Sequence, residues 1–237
     1  ARILGVDYEV IAIEDVYQQF LESLAPVFRG APADTTEENL QARVRGVVLM
    51  GLSNAEGHLV LATGNKTELS VGYSTIYGDA VGGFAPIKDV PKTLVWELSR
   101  WRNLEAESAG HVPPIPSRSI SKPPSAELRP GQLDTDSLPD YALLDDVLDD
   151  YIEHDRGTAD LVQAGFDPTL VERVLRMTDV AEYKRRQYPP GPKISVRNFG
   201  RDRRLPITNA WRERAPQPAE PPAPQEAPPG RPADATE

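Results

Sequence analysis

Cysteine is absent from the 237 residues. No disulfide framework, cysteine-ligated zinc, iron–sulfur site or cysteine nucleophile can be built from them. The absence suits a reducing compartment, and a cytoplasmic protein is the expectation. Long apolar runs are missing as well; nothing approaches the roughly 18 residues of a membrane span. The three histidines, His58, His111 and His154, stand far apart without metal-ligand spacing. None heads a catalytic triad. Neither Gly-x-Gly-x-x-Gly nor the phosphate-loop pattern ending in Gly-Lys-Ser/Thr occurs, and there is no internal repeat, initiator Met or signal peptide.

What is present is an ordinary globular composition, 39% hydrophobic and 26% charged, with 26 Lys and Arg against 36 Asp and Glu for a net charge of −10. An acidic chain is a poor general binder of nucleic acid or anionic membrane, so neither partner is expected. The charge is uneven. Nine acids and no Lys or Arg lie between Asp134 and Asp155; eight bases and two acids lie between Glu182 and Arg204. The acidic block reads as mostly a solvated helix face, the basic block as the better place for an anionic small molecule.

Local patterns outline an α/β chain. Ala1 to Leu4 read as the last turn of a helix capped by Gly5, so the chain reads as the later part of a longer one. Tyr8 to Ile13 and His58 to Ala62 are apolar enough for buried strands. Val16 to Phe28 has a helical apolar face. Thr35 or Thr36 can cap a helix from near Glu37 that turns Leu40, Val44, Val47, Val48 and Leu52 inward, closed by a turn at Asn54 to Gly57. Val90 to Trp101, Tyr141 to His154 and Asp167 to Tyr188 also read as helices. Gly110 to Pro139 has no apolar period, and its length suits a functional or disordered loop. From Ala215 onward 8 of the 24 prolines fall in 23 residues, which predicts a disordered tail.

The chemistry gathers at a few points. Strand, Thr63-Gly64 turn and helix are the geometry of a parallel sheet, where ligands sit at the carboxyl ends of strands. Thr63 and Glu68 bracket that turn, as a strand end with a capping acid or as a hydroxyl and a hard carboxylate suited to phosphate-bound Mg²⁺. Lys92 opens a helix, as plain surface or as a phosphate contact. Asn39 and Arg43 share one helical side, either solvated or receiving a carboxylate or amide. Lys184-Arg185-Arg186 and the following Pro-Gly turn are helix-end bases or an anion site.

In order and spacing, these stretches resemble the synthetase domain of NAD⁺ synthetases, in the ATP-pyrophosphatase group. The resemblance rests on Glu38 to Arg43, Thr63 to Tyr73, Tyr77 to Asp79, Pro86 to Lys92, Pro124 to Pro130, Glu182 to Gln187 and Gly191 to Lys193. Phe199-Gly200-Arg201-Asp202-Arg203-Arg204 looks like the long, glutamine-dependent form. The resemblance implies a parallel sheet flanked by helices over residues 1–211, lacking its N-terminal part, with 212–237 as the Pro-rich tail. It implies ATP-dependent amidation of deamido-NAD⁺ through an adenylate, with Mg²⁺, and with ammonia from an upstream glutaminase domain. It places Thr63, Lys92 and Ser125 on ATP, and Asn39, Arg43, Glu68, Tyr183 and Lys184 on deamido-NAD⁺, with Glu68 also the metal ligand. It further implies a homodimer and a mobile segment at Gly110 to Pro139. Ile76 and Gly83 depart from the short forms, which carry Lys and Asp there. The family's Ser-Gly-Gly-x-Asp-Ser loop is missing, so these residues alone are expected to be inactive; a catalytically silent dinucleotide-binding module is the alternative.

Overall fold

The computed structural model describes residues 1–214; the Pro-rich segment from 215 onward lies outside the described residues. Their helices are α1 (Glu14–Phe28), α2 (Thr35–Glu56), α3 (Lys66–Val71), α4 (Lys92–Ser108), α5 (Ser117–Ser121), α6 (Tyr141–Ile152), α7 (Thr158–Gln163), α8 (Pro168–Val180) and α9 (Glu182–Arg185), with 3₁₀ turns at Arg2–Leu4 and Asp134–Asp136.

The caps explain most boundaries. At α2 the cap is Asp34, not Thr35 or Thr36. Its carboxylate accepts from Thr36 N at 2.6 Å, and Glu37 accepts from Asp34 N at 2.8 Å. α2 runs on through the turn expected at Asn54 and stops at Gly57, whose left-handed φ of 69° favours glycine. Asn65 and Glu68 form the same reciprocal box at α3. The helix expected over Asp167 to Tyr188 is broken at Ala181, between α8 and α9. The long patternless segment carries α5 and is tied down: Asn103 bonds both the carbonyl (2.7 Å) and the N–H (3.0 Å) of Ile115.

The main core is helical. Leu144, Val147, Leu148 and Ile152 of α6, Leu161 of α7, and Val171, Val174 and Leu175 of α8 close around Val71, Leu138, Tyr141, Tyr151 and Phe199. A smaller cluster of Ala62, Leu69, Ala80, Ala85 and Tyr188 sits under the Thr63-Gly64 turn.

The expected parallel sheet is not formed among the described residues. One parallel bridge joins Leu61 to Phe84, with Gly83 N–H donating to the Val60 carbonyl and Ala62 N–H to that of Phe84, each at 2.9 Å. A second isolated bridge joins Phe199 and Arg203. Tyr8 to Ile13 forms no strand, Ile13 instead serves as the N-cap of α1, and Val10 is 86% exposed. A strand must pair its backbone N–H and C=O groups with neighbours, and these residues supply none for Tyr8 to Ile13 and only one edge for His58 to Ala62. The α2 face is corrected too: Val44 is buried with Ala42 and Gly46, whereas Val47 (68%) and Leu52 (37%) are exposed.

Candidate functional site

Glu68 and Lys92, 24 residues apart, meet in space. The Lys92 ammonium lies 2.9 Å from Glu68 Oε1, with both side chains about four-fifths buried. Glu68 Oε2 takes the Asn65 N–H at 3.2 Å. Lys92 also lies over the ring of Tyr141, 5.1 Å from its centroid. Thr63 is exposed at the start of the same turn. Between them Gly64 is packed against the buried Tyr188, and a Cβ there would stand 2.0 Å from the phenol oxygen. Gly64→Ala is therefore expected to cost about 1–3 kcal/mol through overpacking. Adding Tyr188→Phe, which deletes the obstructing oxygen, should restore much of it. Urea denaturation of the two variants decides; equal stability for single and double would contradict the packing described.

A second group sits at the other end of α3. Lys184 Nζ donates to the carbonyls of Gly72 (2.7 Å) and Ser74 (2.6 Å). Thr75 Oγ1 donates to Asn39 Oδ1 at 2.7 Å, and Arg43 Nε to the Ile76 carbonyl at 3.2 Å. Burial pulls the Lys184 ammonium below its ordinary value; nearby Arg43 adds to this and Asp79 opposes it. From Glu68 to the Gly72 cap, four residues on, the axis of α3 rises by about 6 Å. Ser125 stands in a third place, a cleft of about 520 Å³ shared with Gln41 and the 127–133 loop, where its Oγ accepts from Glu127 N at 3.0 Å. Tyr183 is 45% exposed beside Lys184.

The two charge blocks behave differently from their reading as solvated face and anion site. Asp145 accepts from Thr67 Oγ1, from Thr93 N at 2.9 Å and from Thr93 Oγ1 at 2.8 Å. Asp134 is buried and takes the Tyr141 hydroxyl at 2.7 Å. Glu153 pairs with the buried Lys66, which also lies 3.3 Å from Asp89 and donates to Ser195 Oγ at 2.7 Å. Asp89 in turn receives the N–H groups of Ile194 (2.8 Å) and Ser195 (2.9 Å). The bases of the 182–204 block are largely spent inside the fold. Arg185 is buried on the Ser70 and Thr178 carbonyls, both at 2.7 Å, and Arg197 and Arg203 pair with Asp155. His154 does approach Asp149 and Asp150, but the group is largely exposed and Arg156 holds Asp150 at 2.7 Å.

Sequence reading passed over Lys66, Asp89, Asp145, Glu153 and Ser195. The available signal was spacing: Asp145, Asp149 and Glu153 recur every fourth residue, which puts them on one side of α6. Glu153 gives a pH test. Burial opposes its charge, but bonds from Lys66, Arg197 N–H and Ser195 outweigh this and hold it below its ordinary value of 4.5. A depressed carboxylate stabilises the fold above its unfolded value and loses that contribution as pH falls through the folded one. Between about pH 6 and about pH 3 the urea midpoint of wild type should therefore fall more steeply than that of Glu153→Gln. Parallel curves would contradict this.

The candidate site is thus a carboxylate–lysine pair near one end of a short helix and a donor-rich loop near the other. The chain belongs to the NAD synthase family, whose model matches residues 1–188. It is 56% identical over 212 residues to the glutamine-dependent NAD(+) synthetase of Acinetobacter baylyi, covering 90% of this chain and 38% of that one. It is 50% identical over 213 residues to that of Thermotoga maritima, covering 90% and 36%. The chain thus spans little more than a third of the length of these relatives. In fold it is similar to the glutamine-dependent NAD(+) synthetase of Cytophaga hutchinsonii (TM-score 0.70, 22% identity, 87% of this chain and 34% of that). It is also similar to the NMN synthetase of Francisella tularensis (TM-score 0.60, 24% identity, 84% and 69%). Among the described residues no helix is long and apolar enough to cross a membrane.

Proposed function

We propose that this chain is the deamido-NAD⁺- and ATP-handling part of a glutamine-dependent NAD⁺ synthetase. The observation that carries the reading is the Glu68–Lys92 pair beside the Thr63–Gly64 turn, with Asn39, Arg43 and Lys184 bound to the loop that follows α3. The 50% and higher identity to enzymes of that name supports it.

The reaction needs this arrangement. Ammonia cannot displace oxide from a carboxylate. The nicotinate carboxylate of deamido-NAD⁺ attacks the α-phosphorus of ATP, pyrophosphate leaves, and an acyl adenylate forms. Ammonia then attacks the acyl carbon, and AMP departs with the former carboxylate oxygen. Two polyanions must be brought together, so cations must be in place before they arrive. Lys92, held by Glu68, is such a cation; transfer of its ammonium from Glu68 to a phosphate oxygen would free the carboxylate. Thr63 adds a hydroxyl on the ATP side; Ser125, proposed for ATP by family likeness, lies apart in its own cleft. Asn39, Arg43, Glu68, Tyr183 and Lys184 receive the dinucleotide; Arg43 and Lys184 also supply positive charge near its carboxylate.

Glu68 fits Mg²⁺ in donor type: it is a hard carboxylate, partly exposed, whose present partners are one ammonium and one backbone N–H. Mg²⁺ is commonly held by one or two carboxylates with substrate phosphates, and when bound it would screen the phosphate charge. The ammonia is proposed to come from glutamine in an amidase domain outside this chain, because its cysteine nucleophile cannot lie in a chain without cysteine. A homodimer is part of the proposal. The outer faces of α1 and α2 expose Phe20 (42%), Val27 (70%) and Met50 (39%), and a monomeric mass by light scattering would contradict it.

The test is turnover by the full-length protein. Deamido-NAD⁺, ATP and glutamine or ammonia should give NAD⁺, AMP and pyrophosphate in equal amounts. Nicotinate mononucleotide in place of the dinucleotide should give little amide. The reverse preference, or ADP and phosphate as products, would contradict the reading.

A further inference from the structure

We infer that Asp145 is a positioning residue for the Glu68–Lys92 pair, fixing through Thr67 and Thr93 the two helix starts from which the pair projects. The inference rests on the function proposed above and deepens it.

Asp145 lies on α6, in the acidic block whose sequence reads as solvated. In the fold it is half-buried and accepts three hydrogen bonds. Thr67, 1% exposed, donates its hydroxyl to Oδ1. The Thr67 hydroxyl oxygen in turn accepts the Lys92 N–H at 2.8 Å. Thr93 N and Oγ1 donate to Oδ2 at 2.9 and 2.8 Å. Thr67 immediately precedes Glu68, and Thr93 immediately follows Lys92. One carboxylate thus joins the first turn of α3 to the first turn of α4, and the side chains leaving those turns meet at 2.9 Å. An ionised carboxylate can only accept, and here both oxygens are used by donors. An asparagine accepts on one oxygen alone: with that oxygen on Thr93, its amide must donate to the Thr67 hydroxyl, which reverses that bond and leaves the hydroxyl proton without the carboxylate acceptor it has in wild type. The expected result is a small shift between α3 and α4. Such shifts matter where charged groups must be preplaced, since misplacement by about 1 Å is costly for a reaction even when its source is remote. Asp145 itself is not proposed to touch substrate.

The test compares full-length wild type with Asp145→Asn, Thr67→Val and Thr67→Ser. The readouts are steady-state kinetics and calorimetric titration with ATP in the presence of Mg²⁺. Losing hydrogen bonds to a charged group corresponds to about a tenfold change or more. The KM for ATP and the ATP dissociation constant should both rise by about that factor in Asp145→Asn. The KM for deamido-NAD⁺ should rise less than that for ATP: of its proposed contacts only Glu68 belongs to the displaced pair, while Asn39, Arg43 and Lys184 keep their partners. Thr67→Val removes the same link and should reproduce the shift, whereas Thr67→Ser keeps the hydroxyl and should rescue it.

A lower kcat with both KM values and ATP affinity unchanged would mean that Asp145 only supports folding, and would overturn the inference. If wild type binds ATP but forms no NAD⁺, the functional reading fails, and the titration alone decides on Asp145. If wild type binds no ATP, both fail.

Discussion

Lys66→Met is expected to destabilise the fold by about 3–5 kcal/mol, the range for breaking a buried ion pair from one side. The Lys66 side chain is 7% exposed, and its ammonium faces Asp89 and Glu153, exposed by only 3% and 13%. It also donates to Ser195 Oγ and to the Arg197 carbonyl. Methionine matches the stem but leaves two carboxylates facing each other with no cation between them. Asp89 keeps its backbone N–H donors from residues 194 and 195, which partly stabilise its charge; Glu153 keeps the Arg197 N–H. Lys66→Met with Glu153→Gln should therefore be less unstable than the single substitution, since one of the opposed charges is gone. Urea denaturation measures both. A Lys66→Met loss within about 0.5 kcal/mol, as for an ordinary surface change, would show that the network does not hold the 193–197 segment on the start of α3.

Lys92→Met in the full-length protein is expected to lower kcat/KM for ATP by about 100-fold or more, by analogy with removing one preplaced donor from a developing charge. The lysine is held by Glu68 at 2.9 Å and by the face of Tyr141, so it is oriented before substrate arrives. Lys92→Arg should recover only part of the loss. The planar guanidinium keeps the charge but not the compact ammonium geometry set by Glu68. Thermal melts should fall by less than for Lys66→Met, because Glu68 keeps the Asn65 N–H and about a fifth of its side chain remains in water. Unchanged kinetics in Lys92→Met would remove this lysine from the ATP site and with it the residue on which the functional reading leans most.

The helices were legible where periodicity and caps agree. α6 follows Asp140 and α8 follows Asp167, each acid accepting a backbone N–H, as the acid-then-apolar pattern suggests. Among the described residues the sheet is reduced to isolated bridges, because an apolar run such as Tyr8 to Ile13 encodes readiness to pair and not the partner. On α2 the apolar residues Val47 and Leu52 obey a helical period yet face outward; periodicity finds a face but does not say what covers it. Glu68 and Lys92 could each be singled out by their place at a helix start, but their contact joins positions 24 apart and appears only in three dimensions. The acids of α6 illustrate the limit of composition. Asp145 and Glu153 are anchors, while Asp146 and Asp149 of the same run are exposed. Only the stride of four distinguishes a shared side, and it does not tell inward from outward. The basic block misled for the opposite reason: Arg185 and Arg203 answer carboxylates and carbonyls within the fold, so their number overstates the charge free for a ligand.

The central claim is that this turn serves carboxylate activation by nucleotidyl transfer. It is tested most directly by giving the full-length protein deamido-NAD⁺ labelled with ¹⁸O in its nicotinate carboxylate, together with unlabelled ATP and ammonia, and examining the products by mass spectrometry. Adenylate formation predicts one labelled oxygen in AMP and none in pyrophosphate. AMP free of label, or label released in inorganic phosphate, would contradict the account.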